Sequence, residues 1–212
     1  MDKQIKAIIF DVGRVLVNWD NELFWSGLNA FSKYLPEETR DRVRNSGVIM
    51  AYHHGKVSTR EFYEKVIDEI DADGLDFETF CDLWNSIMTE PNEPIKKILD
   101  AIKSEIKLLI LSDTTELHWE LISKLALMRK FVADKKSIVL SFEVGVSKPA
   151  EKIYQEAVKK AGCLFEECVF IDDVEENVEQ FEVLGGNAIN YDCRTDSIAG
   201  LEDKLSMYDV FE

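Results

Sequence analysis

Short apolar runs alternate with amphipathic stretches along most of this 212-residue chain. Residues 5–10 (Ile-Lys-Ala-Ile-Ile-Phe) form the first run, and Asp11 and Gly13 end it. Similar runs stand at 107–111, 137–140, 168–171 and 187–191, each followed by polar residues. Brief β-branched runs with that punctuation predict buried strands of a parallel sheet. Between them apolar positions recur at helical spacing. Positions 95, 98, 99 and 102 mark one helical face, and residues 116–128, 149–161 and 175–184 behave alike. Pro149 and Gly162 are a favoured opener and terminator for the 149–161 stretch. Such alternation predicts an α/β fold with a doubly wound parallel sheet.

One stretch breaks the pattern. From about residue 21 to 90 no buried strand is expected, only amphipathic helices at roughly 21–34, 37–52, 58–70 and 76–88. Ser58 with Glu61 three residues on has the form of a capping box, and Asp76 with Thr79 is a weaker start signal. Pro91 and Pro94 mark the return to alternation. The chain thus divides into a discontinuous α/β core, residues 1–18 and 91–212, and an inserted helical domain, residues 19–90.

Charge narrows the partners. Lys and Arg total 25 against 41 Asp and Glu, a formal charge of −16. Such a surface repels phosphate backbones and anionic lipid, which argues against nucleic-acid and membrane binding. No run reaches the ~18–20 apolar residues of a membrane span, and no leader-like segment precedes the first strand. The four cysteines form no C-x-x-C pair and do not alternate with the three histidines at ligand spacing. A zinc site or disulfide framework is therefore not expected, and the chain reads as cytoplasmic with reduced thiols.

The candidate chemistry sits just past the apolar runs. In α/β sheets, ligands bind in the crevice beyond the carboxyl ends of the strands. Asp11 and Gly13 follow the first run, Ser112 and Asp113 the second, and Asp172 and Asp173 the fourth; Lys148 lies in the loop after the third. Carboxylates converging in one crevice need a neutralising partner, and Mg²⁺, which takes oxygen ligands, suits them.

Four segments carry a resemblance. They are Phe10-Asp11-Val12-Gly13-Arg14-Val15-Leu16, Leu109-Ile110-Leu111-Ser112-Asp113-Thr114, the stretch from Ser141 to Lys148-Pro149, and Val169-Phe170-Ile171-Asp172-Asp173. With a helical insert carrying His53-His54-Gly55, the chain resembles the haloacid dehalogenase superfamily, in particular its small phosphatases with a helical cap. The resemblance implies a Rossmann-like strand order of 3-2-1-4-5. It implies a phosphatase of a small phosphorylated metabolite, with Asp11 the nucleophile that becomes an aspartyl-phosphate. Mg²⁺ would be held by Asp11, the carbonyl of Gly13 and Asp173, with Asp172 acting directly or through water. Ser112 and the backbone amide of Asp113 would hold phosphoryl oxygens, and Lys148 would neutralise the nucleophile and the transferring group. Asn177 would brace the fourth loop.

The chain departs from that pattern twice. Gly13 stands where an acid/base aspartate is usual, and Asp113 where asparagine is usual. Loss of a general acid removes a factor of roughly 10²–10⁴ unless something replaces it. His53, His54 and His118 are the candidate replacements, because histidine titrates near neutrality. Arg14 is a candidate substrate contact, and Phe24, Trp19 or Trp25 could line a pocket. A sugar 1-phosphate, whose leaving group needs little protonation, suits the gap at Gly13. Two alternatives share the sequence: a carbon–halogen hydrolase, which needs neither acid nor metal, and a binding or regulatory protein that has lost activity. Oligomeric state is not set by any of these features.

Overall fold

A computed structural model describes residues 4–132 and 137–212; of the core segment beginning at residue 1, residues 1–3 lie outside the described residues. The first strand, β1 (Ala7–Phe10), leads into a short strand β2 (Val17–Trp19). Five helices follow: α1 (Asn21–Asn29), α2 (Pro36–Asn45), α3 (Val48–His53), α4 (Thr59–Glu69) and α5 (Phe77–Asn85). The chain returns through β3 (Met88–Pro91) and α6 (Ile95–Ala101) to β4 (Lys107–Ser112) and α7 (Glu116–Ile122). Next come α8 (Arg129–Val132), β5 (Ile138–Leu140), α9 (Ser141–Val144) and α10 (Glu151–Ala161). β6 (Cys168–Asp172), α11 (Glu175–Val183), β7 (Asn187–Asn190) and α12 (Ile198–Ser206) complete the chain.

The main sheet is parallel throughout, in the order β5-β4-β1-β6-β7. Counted along its own five strands, that is the order 3-2-1-4-5. Successive residues of β1 point to opposite faces, as the pleat requires. Ile8 and Phe10 join an apolar layer with Ile95, Ile98 and Leu201, while Ala7 and Ile9 join another with Ile153, Tyr154 and Phe181. Both faces of the sheet are therefore covered by helices, which is why its strands are apolar without alternation.

The helices between β2 and β3 enclose an apolar cluster of their own, built on Phe24, Tyr52, Phe62, Phe80 and Trp84. α4 begins with the capping box expected at Ser58, whose backbone N–H donates to Glu61 at 2.7 Å while Glu61 N–H donates to Ser58 Oγ at 3.3 Å. Asp76 caps α5 by accepting from Thr79 N–H at 2.8 Å.

Three expectations are corrected. The 37–52 helix is two helices, because Gly47 turns left-handed at φ 71° between α2 and α3. The 116–128 helix stops at Ile122, and a single tighter turn, Ala126–Met128, follows. The insert is also not purely helical at its edges. β2 and β3 pair antiparallel, Val17 opposite Pro91 and Trp19 opposite Met88, as a two-stranded stalk. Those strands are too short for periodicity to reveal, and they exist because entry and return of the insert are paired to each other. The terminal helix α12 was not anticipated either. No helix among the described residues is long and apolar enough to cross a membrane.

Candidate active site

β1 lies at the centre of the sheet, with β4 on one side and β6 on the other. Register places Phe10 opposite both Ile110 and Ile171, so Asp11 emerges level with Leu111 and Asp172. Asp11, the first residue past β1, donates its backbone N–H to Ile171 O at 2.9 Å. Asp172 and Asp173 emerge beside it, and the carboxylates of Asp11, Asp172 and Asp173 offer oxygens within 4.8 Å of one another. Ser112 and Asp113 stand on the other side, and the loop between β5 and α10 brings in Lys148. Topology thus gathers residues more than 130 positions apart.

Lys148 is the pivot of the cluster. Its Nζ donates to Asp11 Oδ1 at 2.7 Å and to Asp172 Oδ2 at 2.6 Å, and its side chain is 2% exposed. Burial alone would lower its ammonium, but Asp11, Asp172 and Asp113 more than offset this and hold it well above the usual lysine value. One cation among several buried anions leaves the balance negative. Burial pushes the Asp11 carboxyl up to about 8 against the pull of Lys148. Burial, then the neighbouring Asp172, push Asp173 up to about 6, with Arg14 opposing. Both shifts report anions held out of water without enough positive charge nearby. Hard oxygen donors in that state fit a divalent cation.

The loops are braced from within. Asp172 Oδ1 accepts from Val174 N–H at 2.8 Å and from Asn177 Nδ2 at 3.0 Å, which assigns Asn177 the bracing position expected of it. Asp113 is held from the loop between β5 and α10. Both of its carboxylate oxygens accept from the Lys148 backbone N–H at 3.1 Å. An asparagine carbonyl could accept the same bond. Asp113→Asn is therefore expected to leave the unfolding free energy from urea titration within about 0.5 kcal/mol of wild type. It removes a negative charge near the cavity, and steady-state kinetics should show KM for an anionic substrate falling about two- to fivefold.

Gly13 is explained by what lies over it. A Cβ there would come within 3.2 Å of Trp19 Cδ1 and Nε1, so a side chain at 13 would need the indole to shift by a few tenths of an ångström. Trp19 lies in the β2–β3 stalk, and the pairing that holds it could not be read from periodicity. Arg14, at φ 54°, stacks 4.5 Å above the same indole. Its Nη1 lies 3.7 Å from Asp173 and 3.9 Å from Asp192, so its guanidinium is placed against carboxylates. It does not line the cavity described next.

The helical unit closes over these loops through polar contacts. Ser141 Oγ donates to His53 O at 2.8 Å, Trp84 Nε1 donates to Thr115 Oγ1 at 3.1 Å, and Leu117 N–H donates to Tyr52 OH at 3.3 Å. Gly55, at φ 64°, packs so tightly on Phe142 O that a Cβ would lie 2.1 Å from it. Between unit and sheet remains a cavity of about 470 Å³ with Asp11, Gly13, Ser112, Asp113, Lys148 and Asp173 at its floor.

The three histidines separate here. His54 binds Ser147 Oγ at 3.1 Å and does not line the cavity. His118 lines it, but its Nε2 is 2.8 Å from Trp84 O and its ring stacks on the Trp84 indole at 4.9 Å. That geometry requires Nε2–H to donate, so His118 pins the helical unit to the core. His53 also lines the cavity, and its ring takes no hydrogen bond among the described residues.

Burial lowers His118 to about 4 from an ordinary 6.5. The unfolded chain therefore binds a proton below about pH 6.5 that the folded chain refuses until about pH 4. This contribution to stability is complete above pH 6.5 and lost as pH falls. Urea unfolding at pH 7 and pH 5 should show His118→Gln losing about 2 kcal/mol less than wild type over that interval.

Trp84, Ile49, Met50 and Met88 complete the cavity wall and were not singled out by sequence. Trp84 occupies an ordinary apolar position of α5, and only docking turns one edge of it toward the core.

A family profile described as haloacid dehalogenase-like hydrolase matches residues 5–185. Among curated proteins, the D-ribitol-5-phosphate phosphatase of Bacteroides thetaiotaomicron is 25% identical over 187 residues, covering 85% of this chain and 89% of that one. Among solved structures, a HAD-like family hydrolase of Porphyromonas gingivalis superposes with a TM-score of 0.82 at 23% identity, covering 96% of this chain and 98% of that one. A HAD family enzyme of Bacteroides thetaiotaomicron, solved with magnesium and inorganic phosphate, superposes at 0.78 with 24% identity over 93% and 98% of the two chains. The profile spans β1 through α11, the same stretch that supplies the acidic floor and the helical unit above it, and on that match the chain belongs to the haloacid dehalogenase-like hydrolases.

Proposed function

We propose that this hydrolase is a Mg²⁺-dependent phosphomonoesterase acting through Asp11. The observation that carries the reading is the shared ammonium. Lys148 holds Asp11 by one oxygen and Asp172 by another, while Asp11 Oδ2 takes no hydrogen bond among the described residues. A carboxylate fixed through one oxygen and free at the other is oriented as a nucleophile. The phosphatase activity of the curated relative and the magnesium and phosphate in the solved structure point the same way.

Asp11, Asp173 and the Gly13 carbonyl would hold the ion, with Asp172, already engaged by Lys148, Val174 and Asn177, contributing directly or through water. Bound there, Mg²⁺ supplies the positive charge that lets an anionic carboxylate approach a phosphate dianion. Asp11 Oδ2 attacks phosphorus, the bond from phosphorus to the alcohol oxygen breaks, and the phosphoryl group rests on Asp11. Ser112 Oγ and the Asp113 amide bind phosphoryl oxygens, and Lys148 offsets charge as it builds on them. Water then attacks phosphorus and frees Asp11.

His53 is the residue of this chain best placed to exchange protons in these steps. Burial and the nearby His118 lower it to about 4, so its ring is neutral and can accept a proton from water. A bound phosphate dianion raises that value toward neutrality, so the ring can take a proton from solvent before the first step, give it to the departing alkoxide and, neutral again, accept one from the attacking water. The helical unit acts as a cap, keeping bulk water from the phosphoryl group.

Phosphate release from acetyl phosphate and a panel of small phosphate esters, with and without Mg²⁺, tests the reading. Metal-dependent release is the expected result. Metal-independent halide release from 2-chloropropionate, or no phosphate release from any donor, would overturn it.

A further inference from the structure

The polar floor of the cavity contrasts with its roof. Above the carboxylates the wall is the indoles of Trp19, Trp25 and Trp84 with Ile49, Met50 and Met88. Polar side chains at that end are few. His118 gives its Nε2–H to Trp84 O and keeps only Nδ1, an acceptor, beside Asn21, His53 and Arg44. A polyol carries a hydroxyl on nearly every carbon, and a site built for one meets those hydroxyls with matched donors and acceptors. Three tryptophans and three aliphatic or thioether side chains instead offer apolar area and ring faces.

Arg44 adds a second constraint. It lies on α2 at the cavity rim, its guanidinium 5.5 Å from the centre of the Trp25 ring. Its neighbours on the same helix are paired, Arg40 to Glu22 at 2.6 Å and Arg42 to Glu38 at 3.0 Å. Arg44 has no carboxylate partner among the described residues, in a chain of net charge −16. A cation in that position, laid over an aromatic wall, is arranged for an anion that arrives with the ligand.

Resting on the phosphomonoesterase reading, we infer that the substrate is a phosphate ester of an apolar, aromatic-sized alcohol bearing an anionic group at its far end. The phosphate meets the floor, the ring lies among the three indoles, and the distal anion reaches Arg44. At about 470 Å³ the cavity is in the range that encloses such a molecule.

The test compares three esters of primary alcohols, among which the polyol, acidified by its neighbouring hydroxyl, is the better leaving group, so that leaving-group acidity works against the expected order: 3-phenylpropyl phosphate, its para-carboxylate analogue and D-ribitol 5-phosphate. The expected order of kcat/KM is the carboxylate analogue, then the phenyl ester, then the ribitol ester, each step about fivefold or more. Arg44→Gln should lower the carboxylate analogue at least about fivefold more than the phenyl ester. A ribitol ester equal to or better than the phenyl ester overturns the inference, as does an Arg44→Gln loss shared equally by both aromatic esters. Acetyl phosphate, which has no alcohol body, is the control. If it is hydrolysed and the order fails, only this inference falls. If neither it nor any of the three esters is hydrolysed, the catalytic reading falls, and quenching of tryptophan fluorescence by 4-phenylbutylphosphonate and its para-carboxylate analogue still decides the pocket. Tighter binding of the carboxylate, lost in Arg44→Gln, supports the inference; equal binding of the two overturns it.

Discussion

Asp11→Asn is expected to abolish phosphate release by at least about 10⁴-fold, the scale seen when a nucleophile is removed from a catalytic unit. The amide cannot form the phosphoryl bond, although its oxygen can still accept from Lys148 as Asp11 Oδ1 does at 2.7 Å. The same substitution is expected to stabilise the metal-free fold. Burial pushes the Asp11 carboxyl up to about 8, so the native state resists its ionisation, and a neutral amide escapes that conflict. Urea unfolding in EDTA should show a gain of about 1–2 kcal/mol, as is common when a site strained for function is relaxed. Opposite signs for activity and stability are what distinguish a nucleophile from a structural aspartate. Retained turnover in Asp11→Asn would move the nucleophile elsewhere.

Lys148→Met carries the largest expected loss of stability. Methionine matches the stem but leaves Asp11 and Asp172 facing each other without the ammonium that bonds both, and Asp172 is fully buried. Breaking a buried ion pair from one side costs about 3–5 kcal/mol. The unfolding free energy in EDTA at pH 8 should fall by that amount. The deficit should shrink as pH is lowered, because the stranded carboxyls then take up protons in the folded state. Mg²⁺ should also narrow it, since without the competing ammonium the acidic cluster binds the ion more tightly, and each tenfold gain in affinity adds about 1.4 kcal/mol to the variant over wild type. If the metal leaves the deficit unchanged, the acidic cluster is not its site. Catalysis should drop a further 10²–10³-fold even in the folded variant, about the value of one charge-stabilising donor.

The main features of the fold were legible because they rest on local signals. The apolar runs at 5–10, 107–111 and 168–171 fitted buried strands of a parallel sheet, and in a parallel sheet the residues closing them, Asp11, Ser112 and Asp172, share one end. Ser58 and Glu61 announced a helix start that the structure contains. Signals that needed pairing were lost. β2 and β3 are a few residues each and have meaning only opposite one another. Gly47 carries no mark that distinguishes a break from a tolerated helical glycine.

The candidate site divides along the same line. Its charged residues were nameable from position after a strand, but their roles toward each other were not. Asp113 reads as an extra negative charge until its oxygens are found on the Lys148 amide. His118 reads as a possible acid until its ring is found stacked on Trp84. Gly13 reads as a missing group, and only the structure shows Trp19 packed close against it.

By itself, the order of apolar and polar positions determined the sheet, its wide helical insert and the crevice where the carboxylates meet, because period and punctuation act within a few residues. Tertiary structure alone decided which cation balances which anion, and that the wall above the acidic floor is aromatic with, among the described residues, a histidine ring that takes no hydrogen bond and an arginine without a carboxylate partner. Those depend on side chains from opposite parts of the chain meeting at a few ångströms, a distance that no spacing along the sequence encodes.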